Sequence, residues 1–296
     1  MRQGLLAAAA AYFIWGLFPV YWKLLQHVPA LQIMAHRIVW CAVWVAAWIT
    51  VREGWGWVRE LSGRLLLMLA TSAVLVAGNW WLYIWAVNAG YIVETSLGYF
   101  INPLVSVLMG VLILRERLNR MQVLAVLIAA GGVLYLTLQA GRVPWIALTL
   151  ALSFGSYGLI RKIAVVPAVR GLMIESGILL VPALLLLSVL QLQGESRFGH
   201  VDRATDGLLV VAGLVTALPL VLFAIGARRI PLSLVGILQY LAPTLQLACG
   251  VWLFHEPFTR VQQIGFGCIW LALVLYAADG LWRARRRGAA GAVAAR

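Results

Sequence analysis

The stretch YFINPLVSVLMGVLILRERLNRMQ (99–122) lies without a gap on QYLAPTLQLACGVWLFHEPFTRVQ (239–262), 140 residues further along the chain. Pro103 meets Pro243, Gly110 meets Gly250, Val111 meets Val251, Glu116 meets Glu256, Arg120 meets Arg260 and Gln122 meets Gln262. At nearly the same offset Trp15-Gly16 meets Phe154-Gly155, and Lys23 meets Lys162. Self-similarity at a fixed period is the mark of a duplicated unit.

The solvent of that unit follows from composition. Of 296 residues 63% are hydrophobic and 11% charged, and the mean hydropathy is +0.94, far outside the range of soluble domains. About 20 helical residues cross ~30 Å of hydrocarbon. Apolar runs of that order cover 5–24, 32–51, 65–87, 92–114, 120–139, 144–160, 171–191, 207–227, 232–254 and 262–282. The expected fold is all-α and integral to the membrane, with ten transmembrane helices. Runs such as LIAAGGVLYLTL do not alternate, which argues against a β-barrel. The matched stretches are the fourth span of each five-span half. Five is odd, so the second half enters from the opposite side and the repeats are inverted, as in carriers whose site lies between the halves. The expected domains are a first repeat over 1–141, a second over 142–282 and a basic tail over 283–296.

The net charge of +13 is spread over span ends rather than gathered in one patch, which argues for orientation and against a nucleic-acid partner. With the N-terminus inside, seventeen Lys and Arg residues fall on the cytoplasmic side and six elsewhere. Both termini are therefore expected in the cytoplasm. The tail WRARRRG reads as an anchor touching membrane lipid. Cys41, Cys249 and Cys268 lie within spans without CxxC spacing, so no disulfide or metal framework is indicated. The first span is too long for a signal-peptide core and is expected to be retained. No cofactor motif is present, and no GxxxxGK[ST] occurs for ATP.

FINPL followed by RERLNRMQ, and LAPTL followed by HEPFTRVQ, resemble the paired EamA domains of the drug/metabolite transporter superfamily. AAYFIWGLFPVYWKLL, AHRIVW, GNWWLYIWAVN and SLGYFINPL are similar more closely to its RarD subgroup of bacterial permeases, with SFGSYGLIRK and ILQYLAPTL continuing the likeness. The resemblance implies a ten-helix inner-membrane carrier, and export of amino acid-like or drug-like molecules.

Polar residues inside spans are the candidate substrate ligands. Asn102 with Tyr99, and Gln239 with Tyr240, recur beside Pro103 and Pro243 in the matched stretches and are expected to line one cavity. Arg37 is a candidate anion holder, or else an arginine reaching the headgroups, and His36 stands beside it. Trp81 and Trp85 share a face with Asn88, and Asn79 lies nearby, a mixture suited to an amphipathic solute. Trp15 and Tyr157 complete the candidates. Glu116 and Glu256, each three residues before a capping Asn119 or Thr259, are expected to shape turns, and Pro103 and Pro243 to kink helices. Glu94, Glu175 and Asp279 read as interfacial carboxylates. The small residues at 129–132 and 265–267 mark the last span of each half as scaffold or homodimer contact. The expected function is a secondary transporter of a small organic solute, not an enzyme. The rivals are a membrane-embedded lipid-processing enzyme, for which clustered acids and HExxH are missing, and a lipid scramblase.

Overall fold

The computed structural model describes residues 2–115, 118–141, 143–164, 166–227, 229 and 238–294. Glu116 lies outside them. In hydrocarbon every backbone donor and acceptor must be paired within its own segment, and the apolar runs accordingly fold as helices. They are α1 (Arg2–Gly16), α2 (Phe18–Leu24), α3 (Ala30–Arg52), α4 (Gly63–Asn88), α5 (Ile92–Leu114), α6 (Arg120–Ala140), α7 (Trp145–Ala164), α8 (Ala168–Leu192), α9 (Arg203–Ala227), α10 (Leu241–Ala248) and α11 (Arg260–Ala294). Among the described residues six helices are long and apolar enough to cross a bilayer, and α1 with α2, bent by 41°, makes a seventh. The apolar segments Trp145–Arg161 and Leu241–Leu253 are shorter.

Local signals set the helix ends. Ser62 caps α4 by accepting from the Leu65 amide, and Asn119 with Gln122 forms a capping box on α6. Helices α3 and α8 both start after an extended proline, Pro29 and Pro167, 138 residues apart. Arg115 and His255, 140 residues apart, are the two described non-glycine residues with positive φ, at 57° and 54°. The backbone thus turns the same way after both copies of the matched stretch.

Packing repeats with the halves exchanged. Helix α1 lies against α9 and α10, as α7 lies against α4 and α5; α3 meets α9 as α8 meets α4. The pairs α3–α8, α5–α10 and α6–α11 each join one helix to its own counterpart. Glycine permits the closest approaches. A Cβ on Gly16 would stand 2.7 Å from Leu245 of α10, and one on Gly155 would stand 2.8 Å from Val105 of α5. The two glycines are 139 residues apart and the two partners 140, so a sequence match has become a matching contact. Without a hydrophobic force between helices in lipid, such van der Waals contact is what holds them together.

The pair α3–α8 is antiparallel. At one end Gln32 bonds the backbone of Glu195 and Arg197; at the other Arg170 bonds Glu53 at 2.8 Å. Between these ends the Ser176 hydroxyl meets Cys41 Sγ at 3.7 Å.

The two copies of the fourth span differ. Helix α5 runs through Pro103 as one helix, whereas α10 begins at Leu241 and gives way to a π-helical turn, Cys249–Leu253. Pro243 falls in the first turn of α10, where the missing amide would have had no helical partner.

Candidate functional site

Among the buried ionisable residues, Arg37 and Glu175 face the interior, one in each half. Arg37, on α3, is 3% exposed. Its Nε donates to Thr216 Oγ1 on α9 at 2.6 Å, and that hydroxyl donates to the Ala212 carbonyl. Thr216 comes this close because α9 touches α3 one turn away at Gly213, where a Cβ would meet the backbone of Trp40 and Cys41. The guanidinium carbon lies 4.0 Å from the Trp80 ring centre, 5.2 Å from Trp22 and 5.7 Å from Phe18. Among the described residues no carboxylate is within ion-pair distance of it. Aromatic faces offset about 2 kcal/mol for a desolvated cation, less than the several kcal/mol that burying an unpaired charge costs.

Glu175, on α8, is 2% exposed. Ser72 of α4 donates a short hydrogen bond to Oε1, and Tyr157 of α7 donates to Oε2 at 3.5 Å. Arg161 of α7 places Nε 3.8 Å from Oε1. Its guanidinium fills the space that a side chain at Gly171 would take, with Nη1 unpartnered. Arg37 stands eight residues after Pro29, and Glu175 eight after Pro167. Each bonds a hydroxyl on a helix of the other half.

The sequence candidates divide around this pair. Asn79 donates to the Leu150 carbonyl and Ser153 Oγ, at 3.1 and 2.9 Å, and accepts from the Tyr99 hydroxyl at 3.4 Å. Tyr99 packs edge-on against Tyr83 at 5.6 Å, and both phenols lie within the field of Arg37. Asn102, on the next turn of α5, faces Gly155 with its Oδ1 buried and unpartnered. Arg37, Asn79 and Tyr99 therefore share one interior region, and Tyr157 belongs to the Glu175 cluster. Trp15 packs against Tyr12 and Phe223, and its carbonyl accepts from Gln246. His36, one residue from Arg37, turns away and stacks on Phe198 at 4.9 Å.

Other candidates sit apart. Trp81 is 43% exposed on the outer side of α4, while its neighbour Trp80 faces Arg37. Trp85 stacks on Tyr91, packs tilted against Trp145 and, with Gln26, His27, Pro29 and Asn88, lines a cavity of about 330 Å³ at the end of α3 nearer Arg37. Gln239 and Tyr240 precede α10, and Tyr240 packs on the cluster around Phe266, whereas Tyr99 packs on the cluster around Trp22. Glu256 accepts from the amides of Ile92 and Val93, both at 2.8 Å, so it caps α5 of the other half rather than the helix that follows it. Sequence reasoning passed over Trp22, Trp80, Tyr83, Arg161 and Thr216, and left Glu175 at the interface; its 138-residue offset from Arg37 was the available signal.

Comparison with known proteins agrees with this architecture. The EamA-like transporter family model matches residues 2–138 and again 143–278. The chain is 47% identical over 290 residues to the uncharacterized transporter YojE of Bacillus subtilis, covering 93% of each protein. It is 46% identical over 287 residues to Protein RarD of Streptomyces exfoliatus, covering 96% of this chain and 91% of the relative. A solved crystal structure at 21% identity shares the fold, with a TM-score of 0.59 over 93% of this chain and 96% of that one. With its relatives named as transporters, its apolar helices and its twice-matched model, this multi-pass membrane protein belongs to the EamA-like transporter family, in the RarD group.

Proposed function

We propose that the chain is a secondary transporter that moves a small organic solute across the bacterial inner membrane by alternating access, in the export direction. The two five-helix units, 1–141 and 142–282, act as inverted repeats, with both termini in the cytoplasm. The observation that carries this reading is the exchange symmetry of the contacts: Gly16 on Leu245 repeats as Gly155 on Val105, and buried Arg37 is matched by buried Glu175. A carrier needs two nearly equivalent ways to close, and inverted halves supply them with one set of contacts. Charges retained in the interior are costly and mark a solute path. They lie on opposite sides of the Cys41–Ser176 contact, about 7.5 Å apart along the helix axes by the 1.5 Å rise.

The test is counterflow in vesicles reconstituted with the full chain, using labelled amino acids, nucleosides and aromatic acids, with and without a pH gradient. Saturable exchange of at least one solute is expected. Passage of labelled lipid between leaflets with no solute exchange would favour the scramblase reading instead.

A further inference from the structure

Glu175 finds a cation in Arg161, but Arg37 finds no anion among the described residues. From this asymmetry we infer that the Arg37 site takes an organic anion, a carboxylate or phosphate borne on a flat apolar body. The inference rests on the carrier reading and deepens it by naming the substrate class.

The fork of Arg37 is held at its base and open at its tip. Thr216 occupies Nε, and Thr216 in turn spends its own proton on Ala212, so the hydroxyl faces the guanidinium only as an acceptor. Nη1 and Nη2 have no protein acceptor among the described residues and match the two oxygens of a carboxylate or phosphate. Two further buried donors in the same region lack acceptors: Trp22 Nε1, on a ring that walls the guanidinium, and the hydroxyl of Tyr83, within its field. A cation would meet repulsion in a region with unpaired donors; an anion pairs the fork and brings acceptors to that region. The rings of Phe18, Trp22 and Trp80 supply faces for the apolar body. In this conformation they close over the charge, so an anion enters by parting them, as occlusion in a carrier requires. A phospholipid headgroup offers the same phosphate chemistry, and the test separates it from a solute.

The full chain, purified in an uncharged maltoside and a low-salt buffer free of carboxylates and phosphates, is titrated with benzoate and with phenyl phosphate. Benzyl alcohol, chloride and dispersed phosphatidylglycerol are the comparison ligands. Tryptophan fluorescence and thermal midpoint are read together. The expected result is a saturable response to benzoate or phenyl phosphate that benzyl alcohol does not reproduce. Arg37→Lys should weaken it about 10- to 100-fold with the unliganded midpoint unchanged, the loss expected for a charge-assisted bond. Trp22→Phe, which keeps a ring and removes the N–H, should weaken it by several-fold, and it carries the test with Thr216→Val if Arg37→Lys does not fold. The inference is overturned if benzyl alcohol acts equally, if the folded variants bind as the parent does, or if only chloride or only phosphatidylglycerol responds. Binding of benzoate without flux in vesicles would keep the anion site and remove the carrier reading. Solute exchange indifferent to Arg37 and Trp22 would do the reverse.

Discussion

Arg37 and Glu175 occupy matching places in the two halves, yet they are satisfied in opposite ways. Each follows its helix-opening proline by eight residues and each bonds a hydroxyl from the other half, Thr216 or Ser72. Around Glu175 the chain supplies a cation and a phenol; around Arg37 it supplies three aromatic faces and, among the described residues, no counter-charge. Duplication has preserved the scaffold of the site and let its chemistry diverge. The Glu175 cluster holds its own counter-ion, whereas the Arg37 cluster has none among the described residues, and that is the difference on which the proposed anion site rests.

The largest expected effect breaks this comparison directly. Arg161→Met leaves Glu175 buried beside no cation and should cost about 3–5 kcal/mol. Arg37→Met removes a charge with no counter-ion among the described residues and leaves only the Thr216 oxygen without its donor, so it should cost less than about 1 kcal/mol, or stabilise the fold. Denaturation of both variants in one detergent decides it: equal losses would mean that Arg37 has a hidden structural counter-charge.

A smaller effect sharpens the likeness instead. Ser72→Ala and Thr216→Val each delete one hydroxyl bonded to a buried charge, and each should cost about 1.5–3 kcal/mol. Losses differing by more than the full range would show that the two hydroxyls are not equivalent.

The smallest effect lies at the exposed start of α9, the helix that carries Thr216. Asp202 accepts from the amide and hydroxyl of Thr205, and these bonds hold its carboxyl below the ordinary range. Its contribution is complete above the usual aspartate range and disappears as pH falls through the depressed value. Asp202→Asn should flatten that part of the stability profile and leave anion binding at Arg37 unchanged.

Much of the fold could be read before any coordinates, because its signals are long or repeated. The apolar runs, the match of 99–122 with 239–262 and the pairing of Gly16 with Gly155 all survive averaging over many residues. The site was harder. Trp80 and Trp81 are adjacent, but 100° of helical turn sends one to the guanidinium and the other outward, and composition cannot choose between them. Arg161 and Glu175 meet across a helix–helix turn, a contact that no spacing rule announces. Gln239 is expected beside Asn102 because a polar stretch recurs next to Pro243, yet Gln239 and Tyr240 form a turn just before α10, where α5 has continuous helix at Tyr99.

The exchanged packing of α1 and α7 also bears on how the chain is made. Helix α1 lies on α9 and α10, and a synthesising ribosome reaches Leu245 only about 230 residues after Gly16. At about 5–20 residues per second, that interval is ~10–50 s. Until it ends the groove at Gly16 is unfilled, and Arg37 waits about 180 residues of synthesis for Thr216. The nascent chain must therefore be sheltered by lipid or by the insertion machinery until α9 and α10 arrive, and its vulnerability to membrane proteases should end when those helices dock.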